Sequence, residues 1–348
     1  MLPLVSILIP AYNAERWIAE TLGSALAQTW PRKEIIVVDG GSTDKTLAIA
    51  RRFESSVVRV VSRRNKSASA ARNAALELAG GDYIQWLDAD DLLAPDKIAV
   101  QMEAAGRASN RTLLCSGWGT FMYRPSRARF SPTLLWTDLT PVEWFLRRLR
   151  QNLHMQTATW LVSRQLTEAA GPWDVRLSLD DDGEYFCRVL CASDAIRFAP
   201  FAGVFYRDAA AQRLSTIDRS QAKLQSQFLS VSLQVQHALS LDDTEEMRAA
   251  CLKFLQIWLF CFYGVCEDLA NELERLALRL GGRLQVPELR KKYRWIQQLA
   301  GRRAARRAQD LLPRAKWRLI RSWDFALWRF EQGLFGVEPA PVQTRSLS

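Results

Sequence analysis

The 348-residue chain is 48% apolar and 24% charged, which excludes collagen-like, disordered and disulfide-scaffold classes, and its length suggests about two domains. Six cysteines without a CxxC pair supply neither a zinc ribbon nor a disulfide framework, and a reducing compartment is expected. The net charge of +10 is concentrated between Arg283 and Phe330, where 14 Lys and Arg face 3 Asp and Glu, so an anionic partner is expected there.

The chain enters directly on an apolar run, Val5 to Ile9, which reads as a buried strand with no signal peptide ahead of it. An amphipathic stretch from Ala14 to Gln28 follows, then a strand from Glu34 to Val38 that ends at Asp39. Asp44 is placed to cap a helix running through Phe53, because a carboxylate there accepts from orphan amides. Val57 to Val61 is a third strand, and Ser67 to Ala79 is an Ala-rich helix stopped by Gly80-Gly81. Tyr83 to Leu87 is a fourth strand that runs into Asp88, with Pro95 at the next helix start. Short apolar strands alternating with helices predict an α/β fold with a mostly parallel sheet flanked by helices. Ligands of such sheets bind at the carboxyl ends of the strands. From Arg111 to Ser215 the pattern is irregular, with a strand from Ile196 to Tyr206 and an acidic knot at Asp180-Asp181-Asp182-Gly183-Glu184. After Ser220 the chain reads as helical to Phe330, with breaks at Gly281-Gly282 and Pro313 and a frayed tail from Gly333. The expected division is residues 1–215, split into 1–110 and 111–215, followed by a basic helical region, 216–348. The longest apolar stretch, Phe254 to Cys266, is too short to span a bilayer.

Three strand ends carry chemistry-bearing residues. Asp88-Ala89-Asp90 sets two carboxylates at i and i+2, a donor set for a hard divalent cation such as Mg²⁺ or Mn²⁺, or else a helix-capping acidic turn. Asp39-Gly40-Gly41-Ser42 is a glycine turn that permits close approach to a phosphate, or an ordinary strand-to-helix loop. Tyr12, after Pro10-Ala11, either stacks on a nucleobase or sits at a rim. Arg72 either reaches a diphosphate or is a solvated helix charge. Asp182, among three consecutive carboxylates, is a candidate general base, or a solvated residue at a helix start. Cys187 and Cys191 read as buried helical thiols, His237 as a surface residue, and His154 as a candidate substrate contact.

The ordered set Val5-Ser6-Ile7-Leu8-Ile9-Pro10-Ala11-Tyr12-Asn13, Glu34 to Asp44, Ser69-Ala70-Ala71-Arg72-Asn73, Gly81-Asp82-Tyr83 and Leu87-Asp88-Ala89-Asp90-Asp91 resembles the inverting glycosyltransferases of family 2, which have the GT-A fold. Weaker similarity reaches Gly171-Pro172-Trp173-Asp174, Asp181-Asp182 and Phe205-Tyr206-Arg207. The resemblance implies a nucleotide-sugar donor, UDP-linked foremost, bound along Pro10, Ala11 and Tyr12. Tyr12 and Asp39 would then contact the base, Arg72 the diphosphate, and Asp88 with Ala89 the ribose or sugar. Asp90, with Asp88 as a possible second ligand, would hold the metal, and Asp182 would be the catalytic base. Two departures stand out: the usual Glu-Asp pair reads Asp181-Asp182, and Gly40 replaces an Asp that commonly contacts the base. A non-catalytic nucleotide-sugar-binding or membrane scaffold is the alternative.

In the tail, Lys291, Lys292, Arg294, Arg302, Arg303, Arg306 and Arg307 interleave with Trp295, Leu299 and Leu311-Leu312. Beyond Pro313, Leu319, Ile320, Trp323, Ala326, Leu327 and Phe330 share one helical face. A basic, Trp-bearing amphipathic helix is expected to lie on an anionic membrane surface, or else to pack on the catalytic domain. The expected setting is peripheral, at the cytoplasmic face, with a glycan or lipid-linked acceptor and without nucleic acid, for which no stacking platform accompanies the charge. The pattern assigns no oligomeric state.

Overall fold

The computed structural model describes residues 2–64, 67–106, 109–208, 220–287 and 291–335. The strands of the first sheet are β1 (Val5–Ala11), β2 (Lys33–Asp39), β3 (Val58–Ser62) and β4 (Tyr83–Trp86). Helices α1 (Ile18–Leu26), α2 (Thr46–Arg51) and α3 (Ala68–Leu78) connect them. A later short strand, β8 (Val162–Ser163), joins the far edge, giving the order β3-β2-β1-β4-β8, in which the first three pairings are parallel and the last antiparallel. The buried runs Val5 to Ile9, apart from Ser6, and Ile35 to Val38 are apolar on both sides because helices cover both faces of a parallel sheet.

A second sheet, ordered β5-β9-β6-β7, is built from β5 (Leu92–Leu93), β6 (Thr112–Phe121), β7 (Arg129–Phe130) and β9 (Ala195–Arg207). Helix α4 (Lys97–Ala105) precedes β6, and α5 (Pro141–Gln151) opens with a capping box between Thr140 and Glu143. Strand β8 leads into α6 (Arg164–Ala170), and α7 (Asp181–Ala192) begins within the acidic knot.

Helices α8 (Gln221–Leu241), α9 (Glu245–Phe262) and α10 (Glu267–Arg279) follow. Their buried residues, among them Val231, Phe254, Leu255 and Leu273, continue the same core that holds Leu8, Trp86, Trp160 and Tyr185. The division expected at 215/216 lies outside the described residues. Glycines 281 and 282 do interrupt the helices, as expected. The second interruption falls elsewhere: α11 (Arg294–Phe335) runs through Pro313 and is broken at Gly301. Glycine reaches the left-handed φ of 81° without a Cβ clash, whereas proline's fixed φ is compatible with a helix. Residues 333–335 are helical where a frayed end was expected, and 336–348 lie outside the described residues.

Candidate active site

The in-register pairing Ala11↔Asp39 and Leu8↔Trp86 brings the ends of β1, β2 and β4 to one edge of the sheet. There the first two loops lock together. The Gly40 amide donates to the Ala11 carbonyl at 2.8 Å, the Asn13 amide to Ser42 Oγ at 3.0 Å, and the Thr43 amide to Asn13 Oδ1 at 2.9 Å. Asn13 holds a left-handed φ of 48°, which Asn tolerates better than most residues. Asp44, as expected, accepts from the Thr46 amide at the start of α2, and also from the Glu15 amide.

Asp39 is 1% exposed. Its Oδ2 accepts from the Gly41 and Ser42 amides at 3.1 and 3.2 Å, while its buried Oδ1 meets no donor among the described residues. A buried acceptor left bare costs on the order of 1–3 kcal/mol, so this oxygen is a place for a ligand N–H. Tyr12 lies beside it, 59% exposed. A Cβ added at Gly40 would sit 3.5 Å from the Ala11 carbonyl and 3.8 Å from the Tyr12 ring, so this position has room for a side chain.

Arg72 is not a solvated charge. Its side chain is 7% exposed, lies 4.4 Å over the Trp173 ring, and spans two loops. One guanidinium nitrogen donates to Asp88 Oδ1 at 2.8 Å and the other to Asp181 Oδ2 at 2.7 Å. Burial alone would lower the Arg72 pKa, but the charges of Asp181, Asp88 and Asp182 outweigh it and hold the pKa above its ordinary value. Asp181 also accepts from Ser69 Oγ at 2.9 Å, and burial pushes its carboxyl up. Asp182, in the first turn of α7, accepts from Thr157 Oγ1 at 3.2 Å.

The acidic loop after β4 is held from beneath. Asp91, fully buried, accepts from Gln156 Nε2 at 2.5 Å and from the Arg207 amide at 2.8 Å; burial, then the charges of Asp90 and Asp88, push its pKa well up. Arg207 donates to the Asp90 carbonyl at 2.7 Å and to Glu20 at 2.5 Å, and the Ala89 carbonyl accepts from Thr21 Oγ1. Sequence reasoning assigned no role to Gln156, Thr157 or Arg207. The run Phe205-Tyr206-Arg207 was the available signal for the last.

Behind the acidic knot, Asp180 adopts a left-handed φ of 56°. It is held by α8, through Ser230 Oγ at 2.8 Å, Gln234 Nε2 at 2.6 Å and Gln227 Nε2 at 3.2 Å. Burial, then the charge of Asp182, raise its pKa. Ser226 Oγ accepts from the Ser178 and Leu179 amides. His237, expected at the surface, instead pairs with Glu184 Oε1 at 3.1 Å, because α8 lies against α7. His154 packs edge-on against Trp118. Cys187 is buried and Cys191 partly so, both as free thiols in α7.

Among the described residues no three His, Cys, Asp or Glu side chains converge on a metal position. Asp88 and Asp90 nevertheless offer oxygen donors alone, which suits a hard divalent ion that takes the rest of its shell from phosphate and water. Asp88, Asp90, Asp181 and Asp182 also outnumber Arg72 and Arg207, so an anionic ligand docking here calls for an added cation.

Residues 6–166 match the sequence model of the family described as "Glycosyl transferase family 2". A chondroitin synthase of Escherichia coli is 43% identical over 103 residues, which is 29% of this chain and 15% of that protein. A hyaluronan synthase of Pasteurella multocida is 31% identical over 189 residues, 53% of this chain and 19% of that one. The chain spans less than half the length of the curated relatives it matches. Among solved structures, S. aureus TarS in complex with UDP-GlcNAc aligns over 83% of this chain and 95% of that one, with a TM-score of 0.56 at 16% identity. That likeness shows the GT-A fold.

Proposed function

We propose, from the premise that residues 6–166 form a family 2 glycosyltransferase domain, that the protein moves a sugar from a UDP-sugar to a hydroxyl of a polysaccharide or lipid-linked acceptor, with inversion. The carrying observation is the Arg72 bridge, in which one buried guanidinium ties the Asp88 loop to the Asp181-Asp182 helix start. On this reading the bridge holds the residues for the donor beside those for the acceptor.

Tyr12 offers a ring for the base, and the free Oδ1 of Asp39 accepts from an imide N–H of the uracil type. The complex of S. aureus TarS with UDP-GlcNAc supports a UDP-linked donor. Pro10, Ala11 and Ala89 line the strand ends beside the base and sugar. Arg72, already charged and positioned, faces the diphosphate, where its unpartnered Nε is a further donor. Asp90, with Asp88, would hold Mn²⁺ or Mg²⁺, which when bound neutralises charge on the departing nucleoside diphosphate.

Asp182 takes the acceptor hydroxyl's proton while Thr157 holds one carboxylate oxygen, and the alkoxide attacks the anomeric carbon opposite the nucleotide. One displacement inverts the centre and needs no covalent enzyme intermediate. We read residues 1–215 as the transferase unit and 216–348 as a supporting, membrane-facing region at the cytoplasmic face. The test is a thermal-shift panel of UDP-, GDP-, dTDP- and CMP-sugars with and without Mn²⁺, followed by anomeric assignment of the product. A Mn²⁺-dependent shift confined to UDP-sugars, lost in Asp90→Asn, is the expected result. No shift with any donor would favour the scaffold alternative.

A further inference from the structure

The C-terminal helix α11 has two dissimilar long faces. One is docked. Asp324 accepts from Arg124 at 2.6 Å and from the Tyr123 amide at 3.1 Å, and Glu331 pairs with Arg124 at 2.8 Å. Phe325 and Trp328 pack on Tyr123, and the Arg16 guanidinium lies within 6 Å of the rings of Trp17, Tyr123, Phe325 and Trp328. The Arg124–Asp324 pair is largely shielded, with side-chain exposures of 13% and 16%.

The opposite face is bare. Leu312, Leu319, Trp323 and Phe330 follow one another at seven, four and seven residues, which aligns them along one side of a helix. They are 53%, 75%, 69% and 65% exposed. Arg318 and Arg329 stand exposed beside them. The segment that bears the stripe, from Arg283 to Phe330, carries an excess of basic residues in sequence. The side chains of Lys291, Arg294, Arg302, Arg303, Arg306, Arg307 and Leu311 lie outside the described residues. The expected packing is thus met by one face, while the predicted apolar face stays open. No described helix is long and apolar enough to cross a membrane.

We propose that this stripe is an interfacial anchor for an anionic lipid bilayer. Trp323, Phe330 and the two leucines enter the headgroup boundary, and the flanking arginines meet lipid phosphates. The docked face orients this insertion, because Arg124, Asp324 and Glu331 fix which side of α11 faces outward. The proposal deepens the membrane-facing reading of the preceding section and names the contact. It is tested without donor or acceptor, so its failure and that of the transferase reading are distinguishable.

The experiment is sedimentation of the full chain with phosphatidylcholine–phosphatidylglycerol vesicles and with phosphatidylcholine alone. Wild type is compared with Leu319→Glu/Trp323→Glu, changes at exposed positions whose folding is checked by circular dichroism. The expected result is binding to anionic vesicles that weakens at least about tenfold in the double variant and is slight on neutral vesicles. Equal binding by wild type and variant would overturn the proposal. So would a wild type that ignores vesicles but self-associates through this face, read as a dimer by light scattering that the double variant abolishes.

Discussion

At the ends of β1 and β2, the residues proposed to face the donor are held by their own sequence neighbours and by each other. Asp39 is fixed by Gly41 and Ser42, and Asn13 by Ser42 and Thr43. The acidic knot is held from far away. Asp180 is gripped by Ser230, Gln234 and Gln227 of α8, Asp181 by Ser69 and Arg72 of α3, and Asp182 by Thr157. The β1–β2 loops are a product of strand register, whereas the acidic knot is a product of tertiary packing. On the proposed reading, binding of the nucleotide and deprotonation of the acceptor are therefore separable by mutation.

The largest expected effect comes from removing the proposed base. Asp182→Asn should lower sugar transfer by about 10²–10⁴-fold while leaving UDP affinity unchanged, measured by transfer rate and calorimetry side by side. A parallel loss of UDP affinity would break the separation. Next is the residue that joins the two sides. Arg72→Ala leaves Asp88 and Asp181 without their buried partner and should cost about 3–5 kcal/mol in urea unfolding. A cost below about 1 kcal/mol would mean that the bridge does not hold the cleft together.

A pH test sharpens the account of α8. The folded pKa of Asp180 is raised, so its stabilising contribution is complete below the unfolded value near 3.9 and is lost as pH rises through the folded one. Asp180→Asn, which keeps one acceptor oxygen toward Ser230 and Gln234, should therefore gain melting temperature relative to wild type as pH rises from 4 toward neutrality. A wild-type advantage that grows with pH would contradict this. The smallest effect belongs to Gly40→Asp. With room for a Cβ, the substitution should change stability by no more than about 0.5 kcal/mol, and competition among nucleoside diphosphates would report any change in base preference.

Legibility in the sequence follows the same division. The strands around Val5 and Ile35 were readable because buried parallel strands are largely apolar runs, and the edge strand Val58–Ser62 because of its β-branched valines. The strand-end loops came with them, since position in the sheet dictates where ligands meet the chain. The bridge by Arg72 was not legible, because a helical Arg looks the same in sequence whether it is solvated or clamped between Asp88 and Asp181. Nor was the grip of α8 on Asp180. Ser226, Ser230 and Gln234 are small or amide residues that show no apolar periodicity, yet they form the buried polar face of the helix. Arg207 is hidden for another reason: its partners, Glu20 and Asp90, lie 187 and 117 residues away in the chain.

The most direct test of the donor-side claim is titration of UDP into wild type and Asp39→Asn. The two amides of Gly41 and Ser42 would keep the Asn oxygen where Oδ2 now lies, leaving an NH₂ where the bare acceptor was. The account predicts a loss of affinity of about 10- to 100-fold, the cost of facing a donor with a donor. Equal affinity in the two proteins would contradict it, and would place the base away from the β1–β2 loops.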